Sequence, residues 1–290
     1  MRRAGCALLL LLAACSSSNK DKPAGPPEDE TLVRHEQAGK IAYGLDRPDE
    51  AVAQFQAALK QAQARDDLKS IGDLSFNLAV AQLRANRPQD ALTTTQQARA
   101  ELIRRGSQPF PSLSLAEATA LYRLGKRDEA DALATKVEAS GDADAAAGAS
   151  FLRGLIADEA NNAAGLRQAL ARLSGASAPL RHADQQELQA RLALRQDDLA
   201  GARAAAMRAA EIRQEAFDYR GMARALAVAA LAAERTGDGE AAADLYLRAG
   251  RSAAAQADAD TARPWLKRAL RLTKDPDTEE AAKAALAQLE

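Results

Sequence analysis

Apolar residues between positions 31 and 290 recur with the spacing of amphipathic helices, and polar turn residues separate the stretches. In one stretch, Val52, Phe55 and Leu59 follow each other three and four residues apart, which places them on one helical face. The β-branched and aromatic residues that favour strands are sparse and never alternate with polar ones. The pattern therefore predicts an all-α chain without strands.

A turn that leads into a helix returns several times along this region. The small residue just inside each helix start aligns at Ala51, Ala91, Ala130, Ala202 and Ala242. The separations are 40, 39, 72 and 40 residues, and the long gap has room for one degenerate copy near Ala164. A period of this length is typical of helical repeat arrays.

At three places along the array, the sequence pattern supports a weaker structural prediction. Ser114 and Glu117 have the spacing of a capping box, which predicts a helix that starts at Ser114. The fourth pair, from about 144 to 173, has short helices and is the weakest copy. The helix around Tyr246 fits two alignments, so the pairing of helices near the C-terminus stays open.

The first 14 residues have the layout of a secretory signal, because two arginines precede an apolar run that ends in small residues. About 11 apolar residues are too few to span a bilayer as a helix. The run ends in LAAC, which resembles the lipobox of bacterial lipoproteins and implies acyl chains on Cys15. The alternative is an ordinary signal peptide with a chance cysteine. We predict a signal at 1–14, a lipidated tether at 15–30 and a helical repeat domain at 31–290.

The composition limits where the protein acts and what it binds. Residues 16–30 contain three prolines and no apolar residue larger than alanine, which is typical of a disordered tether. Ser16, rather than aspartate, follows Cys15, and in enteric bacteria this resembles an outer-membrane address facing the periplasm. Cleavage would leave Cys15 as the single cysteine, so no internal disulfide can form. A net charge near −3 without Arg2 and Arg3 argues against nucleic acid as a partner.

The repeat resembles the tetratricopeptide repeat, a helix-turn-helix unit with small residues at its eighth, twentieth and twenty-seventh positions and a bulky one near the twenty-fourth. In the first copy these are Gly39, Ala51, Ala58 and Phe55. Small residues at these positions let two helix axes approach closely. The resemblance implies a solenoid, or superhelix, of about six to seven helix pairs.

The resemblance also implies that the first helix of each pair lines a concave face that binds a protein or peptide. By this alignment the inward residues are Glu36, Lys40, Tyr43, Phe76, Leu83, Tyr122, Glu187 and Arg191. Arginine also ends the first helix of four copies, at Arg84, Arg123, Arg195 and Arg235. These arginines are either a basic ladder for acidic groups or cations that satisfy helix-end carbonyls, and we favour the second interpretation.

No motif in the sequence indicates a reaction. His35 and His182 lie on separate repeats, and neither a phosphate loop nor a nucleophile elbow is present, so no metal, cofactor or catalytic residue is predicted. We therefore expect a non-enzymatic, lipid-anchored scaffold for protein partners in envelope assembly, of the pilus, secretion or outer-membrane biogenesis type. The alternatives are a regulator of a peptidoglycan enzyme and, from another class, a cell-wall hydrolase with an unrecognised site.

Overall fold

The computed structural model describes residues 29–174 and 178–289, which form fourteen α-helices and no strand. The predicted signal, Cys15 and almost all of the predicted tether lie outside these residues. The helices, in chain order, are α1 (Glu30–Gly44), α2 (Pro48–Ala64), α3 (Leu68–Arg84), α4 (Pro88–Arg104), α5 (Pro111–Arg123), α6 (Arg127–Glu138), α7 (Ala143–Glu159), α8 (Ala163–Leu173), α9 (Pro179–Arg195), α10 (Leu199–Glu215), α11 (Tyr219–Arg235), α12 (Gly239–Ala255), α13 (Ala259–Leu272) and α14 (Pro276–Ala287).

Local chemistry explains where most helices begin. Aspartate or asparagine caps nine of the described helices; Asp67 and Asp218, for example, accept bonds from backbone N–H groups of the first turn. Proline takes the first helical position in four of the five described helices without such a cap, as Pro48 does in α2, and α6 is the exception. The capping box predicted at Ser114 and Glu117 is wrong, because Pro111 starts α5 one turn earlier and leaves both residues inside the helix.

Most of the described turns between helices share one backbone feature, a residue with positive φ. In most turns this residue is glycine, asparagine or aspartate, the types that adopt the left-handed region at the least cost. Phe217 (φ 57°) and Ala257 (φ 54°) are the exceptions. Both lie in turns that lead into odd-numbered helices.

The helices stack as seven antiparallel pairs, each packed against the next, so the predicted all-α solenoid of six to seven pairs is confirmed. The fourth residue of the second helix is fully buried in six pairs. It is Ala51, Ala91, Ala130, Leu166, Ala202 and Ala242, each 0% exposed. The degenerate fourth copy thus has Leu166, not Ala164, at this position. Tyr246 fitted two alignments because α12 packs closely on both α11 and α13.

Contacts between alternate helices define the two sides of the solenoid. The odd-numbered helices from α3 to α11 also contact one another, so they form the inner side. This series ends at α11, and at the C-terminal end α12 contacts α14 instead. The change opens a gap on the inner side between α11 and α13.

Candidate functional site

The predicted inward residues on α1 lie on the inner side and are engaged locally. Glu36 Oε1 is 2.6 Å from Lys40 Nζ, four residues along the same helix. Tyr43 lies beneath the guanidinium of Arg84, which is 4.7 Å from the centre of its ring. Such a stack fixes the arginine side chain without neutralising its charge.

Phe76 and Leu83, both predicted to face inward, contribute mainly to packing between pairs. Both are partly buried against the hydrophobic cluster that joins α3 to α5. The ring of Phe76 meets that of Phe110 edge to face, with centroids 6.2 Å apart. These two residues shape the inner wall through apolar contact.

The four periodic arginines bind the preceding repeat. Arg123 Nη1 donates to the carbonyl of Leu83 at 2.5 Å, and Arg235 Nη1 donates to the carbonyl of Leu194 at 2.7 Å. Arg195 similarly donates to the carbonyl of Asp158, and its Nε donates to the Asp158 carboxylate at 2.6 Å. These three arginines thus bond to carbonyls near helix ends, and the carbonyls belong to the previous pair and not to the helix that carries the arginine.

The fourth of these arginines, Arg84, reaches across the inner side. Its Nε donates to Asp46 at 2.8 Å and its Nη2 donates to the carbonyl of Phe217 at 2.6 Å. The neighbouring Asn86 donates to the carbonyl of Ala257 at 2.9 Å. Both acceptors are the unusual left-handed residues noted above. The second helix pair thus contacts the turns before α11 and α13. Because of these contacts, the inner side of the solenoid is narrower than an open groove.

Glu187, predicted as an inward binding residue, is 0% exposed and surrounded by arginines. Its carboxylate accepts from Arg224 Nε at 2.6 Å and from Arg191 Nη2 at 2.9 Å, and it lies 3.0 Å from Arg213 Nη2. Burial alone would raise its pKa, but the three guanidinium groups outweigh burial and hold the pKa of Glu187 well below its usual range. Glu187 is therefore a structural anion in this structure and has no surface open to a partner.

Asp184 extends this ionic cluster to one side. It accepts from Arg213 Nη2 at 2.7 Å and from Arg181 Nη1 at 2.9 Å. Burial raises the pKa of Asp184 despite these partners. The cluster joins α9, α10 and α11 through charge where the surrounding core consists mainly of alanine.

Two arginines, Arg123 and Arg220, lie close together at the centre of the inner side. The Tyr122 hydroxyl donates to Glu159 at 2.6 Å, and burial together with that carboxylate raises the pKa of Tyr122. Burial and the nearby Arg220 lower the pKa of Arg123 to about 10. Arg220 also has a buried Nη2 without a hydrogen-bond partner among the described residues. Arg220 Nη1 also donates to the Asp258 carboxylate, which partly compensates these two cations.

An open cleft lies at the gap between α11 and α13. It encloses about 450 Å³ and is lined by residues of α9, α11 and α13 and by Asp158 of α7, with Tyr246 of α12 beneath them. Its apolar lining includes Val228 and Leu231, and Leu231 is 38% exposed. We call this the C-terminal cleft.

The polar lining of the C-terminal cleft is dominated by cations. Arg268 Nε donates to Glu234 at 2.8 Å, and the same carboxylate lies 3.2 Å from the Tyr246 hydroxyl. Burial, assisted by Glu234, raises the pKa of Tyr246 to about 12. Arg271 is exposed and has no ion-pair or hydrogen-bond partner within residues 29–174 and 178–289. Trp265, the single tryptophan of the chain, forms part of the wall.

The structure brings together only part of the predicted set. Arg191 lines the C-terminal cleft, but Glu36, Lys40 and Tyr43 lie at the other end of the solenoid. Five residues of the cleft were not predicted from the sequence as site residues: Arg224, Leu231, Trp265, Arg268 and Arg271. For Trp265, Arg268 and Arg271, the sequence signal that could have indicated a site was the high density of cations around a tryptophan along α13.

Neither histidine forms part of a metal site in the described chain. His35 Nδ1 is 2.8 Å from Gln54 Oε1, and His182 is exposed. Among the described residues, no group of three or more histidine, cysteine or acidic side chains is arranged to hold a metal ion. Nor does any described helix have the length and apolar character needed to cross a bilayer.

Comparison with known proteins gives matches only among solved structures. No protein-family model matches the sequence, and no curated protein matches it. A tetratricopeptide repeat protein from Parabacteroides merdae is 17% identical, with a TM-score of 0.48, over 90% of this chain and 99% of that one. The TPR2AB domain of yeast Sti1 in a pHSP90 complex is 15% identical, with a TM-score of 0.33, over 87% and 98%.

A third structure is the C-terminal part of a TPR repeat-containing protein from Cytophaga hutchinsonii. It is 12% identical, with a TM-score of 0.40, over 84% of this chain and 98% of that one. At these identities and TM-scores, the matches identify no partner for this chain.

Proposed function

We propose that the protein is a non-enzymatic scaffold whose C-terminal cleft binds an acidic, partly apolar segment of a partner protein. The observation that carries this proposal is the combination of an unpaired Arg271, the exposed Leu231 and the wall formed by Trp265. Tryptophan, tyrosine and arginine around an apolar centre are the residues that contribute most to protein–protein binding. The other arginines of the cleft are already paired, so the cleft offers a few directed cations and not a general basic surface.

The location that we propose is the periplasmic side of the outer membrane, with Cys15 as the lipid anchor and envelope assembly as the process. The LAAC sequence and the Ser16 that follows it support this part of the proposal. Replacing Cys15 with serine should move the protein from the membrane fraction to the soluble fraction. Unchanged membrane retention of the variant would contradict the anchor.

Binding at the C-terminal cleft can be followed through Trp265, because the sequence contains one tryptophan. The probe is a synthetic amphipathic helix of about three turns, roughly 11 residues, with glutamates on one face and leucines on the other. We expect saturable quenching or a spectral shift, and weaker binding by about fivefold in Arg271→Glu, with an affinity that falls as salt rises. Lys136→Glu on α6 is the matched control, since this exposed cation does not line the cleft.

A second test identifies the partner in the cell. A photo-crosslinking amino acid at Leu231 should capture a discrete protein, whereas the same group at the exposed Ile103 of α4 should not. Equal crosslinking from both positions, together with no tryptophan response to the acidic probe, would rule out the cleft as the binding site.

A further inference from the structure

The second helix pair holds the starts of the two helices that form the walls of the C-terminal cleft. Asn86 donates through Nδ2 to the carbonyl of Ala257 at 2.9 Å, and Arg84 donates through Nη2 to the carbonyl of Phe217 at 2.6 Å. Ala257 lies in the turn that leads into α13, and Phe217 lies in the turn that leads into α11. We call these two hydrogen bonds the inner clasp.

The bond between Asn86 and Ala257 is not part of the repeating pattern. The equivalent turn residues in three other copies are Asp46, Asn161 and Asp197. Each accepts through its side-chain oxygen from the arginine of the next copy, and none reaches a distant turn among the described residues. Asn86 makes the same local bond, because its Oδ1 accepts from Arg123, but its Nδ2 also bonds to a turn 171 residues further along the chain. These partners fix the orientation of the amide, since a guanidinium only donates and a carbonyl only accepts.

Arg84 departs from its own pattern at the same place. The other three periodic arginines each donate to a carbonyl of the preceding pair. Arg84 instead stacks on Tyr43 of the preceding pair and directs Nη2 to the carbonyl of Phe217. The stack and the bond from Arg84 Nε to Asp46 hold the guanidinium in position for this contact.

The two acceptors of the clasp are exceptional as well. Phe217 and Ala257 have φ of 57° and 54°, whereas the other described residues with positive φ are glycine, asparagine or aspartate. Other residue types adopt this region at a cost in energy, and they persist there where the surrounding structure fixes them. Donors and acceptors thus depart from the repeat at one place, which stacking of the pairs does not require.

The clasp restrains the distance between α11 and α13. Both helices pack on α12, and the C-terminal cleft separates them on the inner side. A second link joins the same two helix starts, because Arg220 of α11 donates to Asp258, the N-cap residue of α13. A cleft whose two walls are held in place loses less conformational freedom when it binds a ligand.

We propose that Arg84 and Asn86 are positioning residues, which hold the C-terminal cleft at the width that its ligand requires. The identity of the ligand rests on the proposed function, whereas the control of the width by the second pair does not. Because the two equilibria are linked, a ligand in the cleft stabilises the clasp, and loss of the clasp weakens the ligand by the same factor.

Two substitutions of Asn86 remove the bond to Ala257 in different ways. Asn86→Asp keeps the oxygen that accepts from Arg123 and loses the N–H donor, whereas Asn86→Gly loses both. Aspartate and glycine already occupy positive φ in the equivalent turns of other copies, so both variants should fold. An effect that the two variants share therefore reports the bond to Ala257.

The matched controls are Asn161→Asp and Asn161→Gly. Asn161 has the same place in the fourth copy, with φ of 56°. Its Oδ1 accepts from Arg195 at 2.8 Å, and its side chain makes no clasp contact within residues 29–174 and 178–289. The controls thus reproduce the change in the turn and in its local arginine bond without touching α13.

Two measurements on the full chain report the clasp without any ligand. One is hydrogen–deuterium exchange of the turn at 255–259, and the other is acrylamide quenching of Trp265 in the cleft wall. We expect both Asn86 variants to speed exchange in this turn by about threefold, the order expected for one neutral hydrogen bond. They should also make Trp265 more accessible to acrylamide, and the Asn161 variants should change neither quantity.

The acidic amphipathic helix proposed as a probe for the cleft then tests the link with binding. Both Asn86 variants should bind it about threefold more weakly than the wild type, and the Asn161 variants should bind it equally well. Unchanged exchange and quenching in the Asn86 variants, equal effects in the Asn161 variants, or equal affinity of wild type and Asn86 variants for the probe would overturn the proposal. If the wild type does not bind the probe but the Asn86 variants open the cleft, the proposed ligand is wrong and the positioning role stands.

Discussion

Replacing Glu187 with glutamine tests whether charge holds the α9–α11 cluster together. The Glu187 carboxylate is fully buried and receives Arg191, Arg213 and Arg224 at distances of 2.6–3.2 Å. Glutamine has almost the same volume, so the substitution leaves no cavity. It removes the negative charge and turns one acceptor into an N–H group that faces arginine donors.

The size of the expected loss of stability depends on which partners each arginine keeps after the substitution. Removing one partner of a buried ion pair typically costs about 3–5 kcal/mol, because the other charge is left uncompensated. Arg191 keeps Asp158 at 2.8 Å, and Arg213 keeps Asp184 at 2.7 Å. Arg224 has no other hydrogen-bond acceptor among the described residues, and it retains the face of a phenylalanine ring and the charge of the nearby Asp218. We therefore expect Glu187→Gln to cost about 3 kcal/mol, the lower end of that range.

Urea unfolding at neutral pH measures this loss. Glu279→Gln is the control, because Glu279 pairs with Lys283 on the exposed surface of α14 and should cost less than about 0.5 kcal/mol. If Glu187→Gln costs no more than this control, the cluster is held by packing and the electrostatic account is wrong.

The loss of stability in Glu187→Gln should also depend on pH. The folded pKa of Glu187 lies below the unfolded value of about 4.3, so its contribution is complete above that pH and is lost as the pH falls toward the folded pKa. The difference in unfolding free energy between wild type and Glu187→Gln should therefore stay constant down to about pH 4.3 and shrink below it. A difference that grows in acid would refute the assigned direction.

Three further perturbations test packing and burial. Ala202→Leu should overpack the fifth pair and lower stability by about 1–3 kcal/mol, whereas Ala53→Leu at an exposed position of α2 should change thermal unfolding little. Gly250→Ala should also destabilise, since an added Cβ would lie 2.6 Å from Leu266 Cγ; an unchanged melting temperature would contradict the close contact of α12 and α13. Because the pKa of Tyr246 is raised to about 12, wild type should lose stability relative to Tyr246→Phe as the pH rises from about 10, and parallel pH profiles would contradict this.

The roles of residues that contact the adjacent helix at the same place in each copy were predictable from the sequence. Ala51, Ala91 and Ala202 are fully buried because close approach of paired helices depends on small side chains at a fixed place in each copy. Three of the four periodic arginines bond to carbonyls near helix ends, the type of acceptor that we favoured from the sequence. Their partners lie one repeat away, at Leu83 or Leu194, because the arginine side chain spans the interface between pairs.

Residues whose role depends on distant contacts were not predictable. Glu187 occupies an inward register, but Arg213 and Arg224 lie 26 and 37 residues further along the chain and close over it. The C-terminal cleft exists because the odd-numbered helices stop contacting one another after α11, which no local pattern encodes. From the sequence, Trp265 could therefore be either a core anchor or part of a groove wall, and in the structure it forms part of the cleft wall.

Departures from the repeat mark the places where stacking alone does not explain a residue. A cation at the tenth position of α6, α8, α10 and α12 recurs with the period of the fold, so a structural role is sufficient for Arg172 or Arg208. Arg271 follows no such period: it is exposed beside Trp265 and has no ion-pair or hydrogen-bond partner among the described residues. It lies on the C-terminal cleft, and an acidic group of a bound partner would supply the contact that the described part of the chain lacks there.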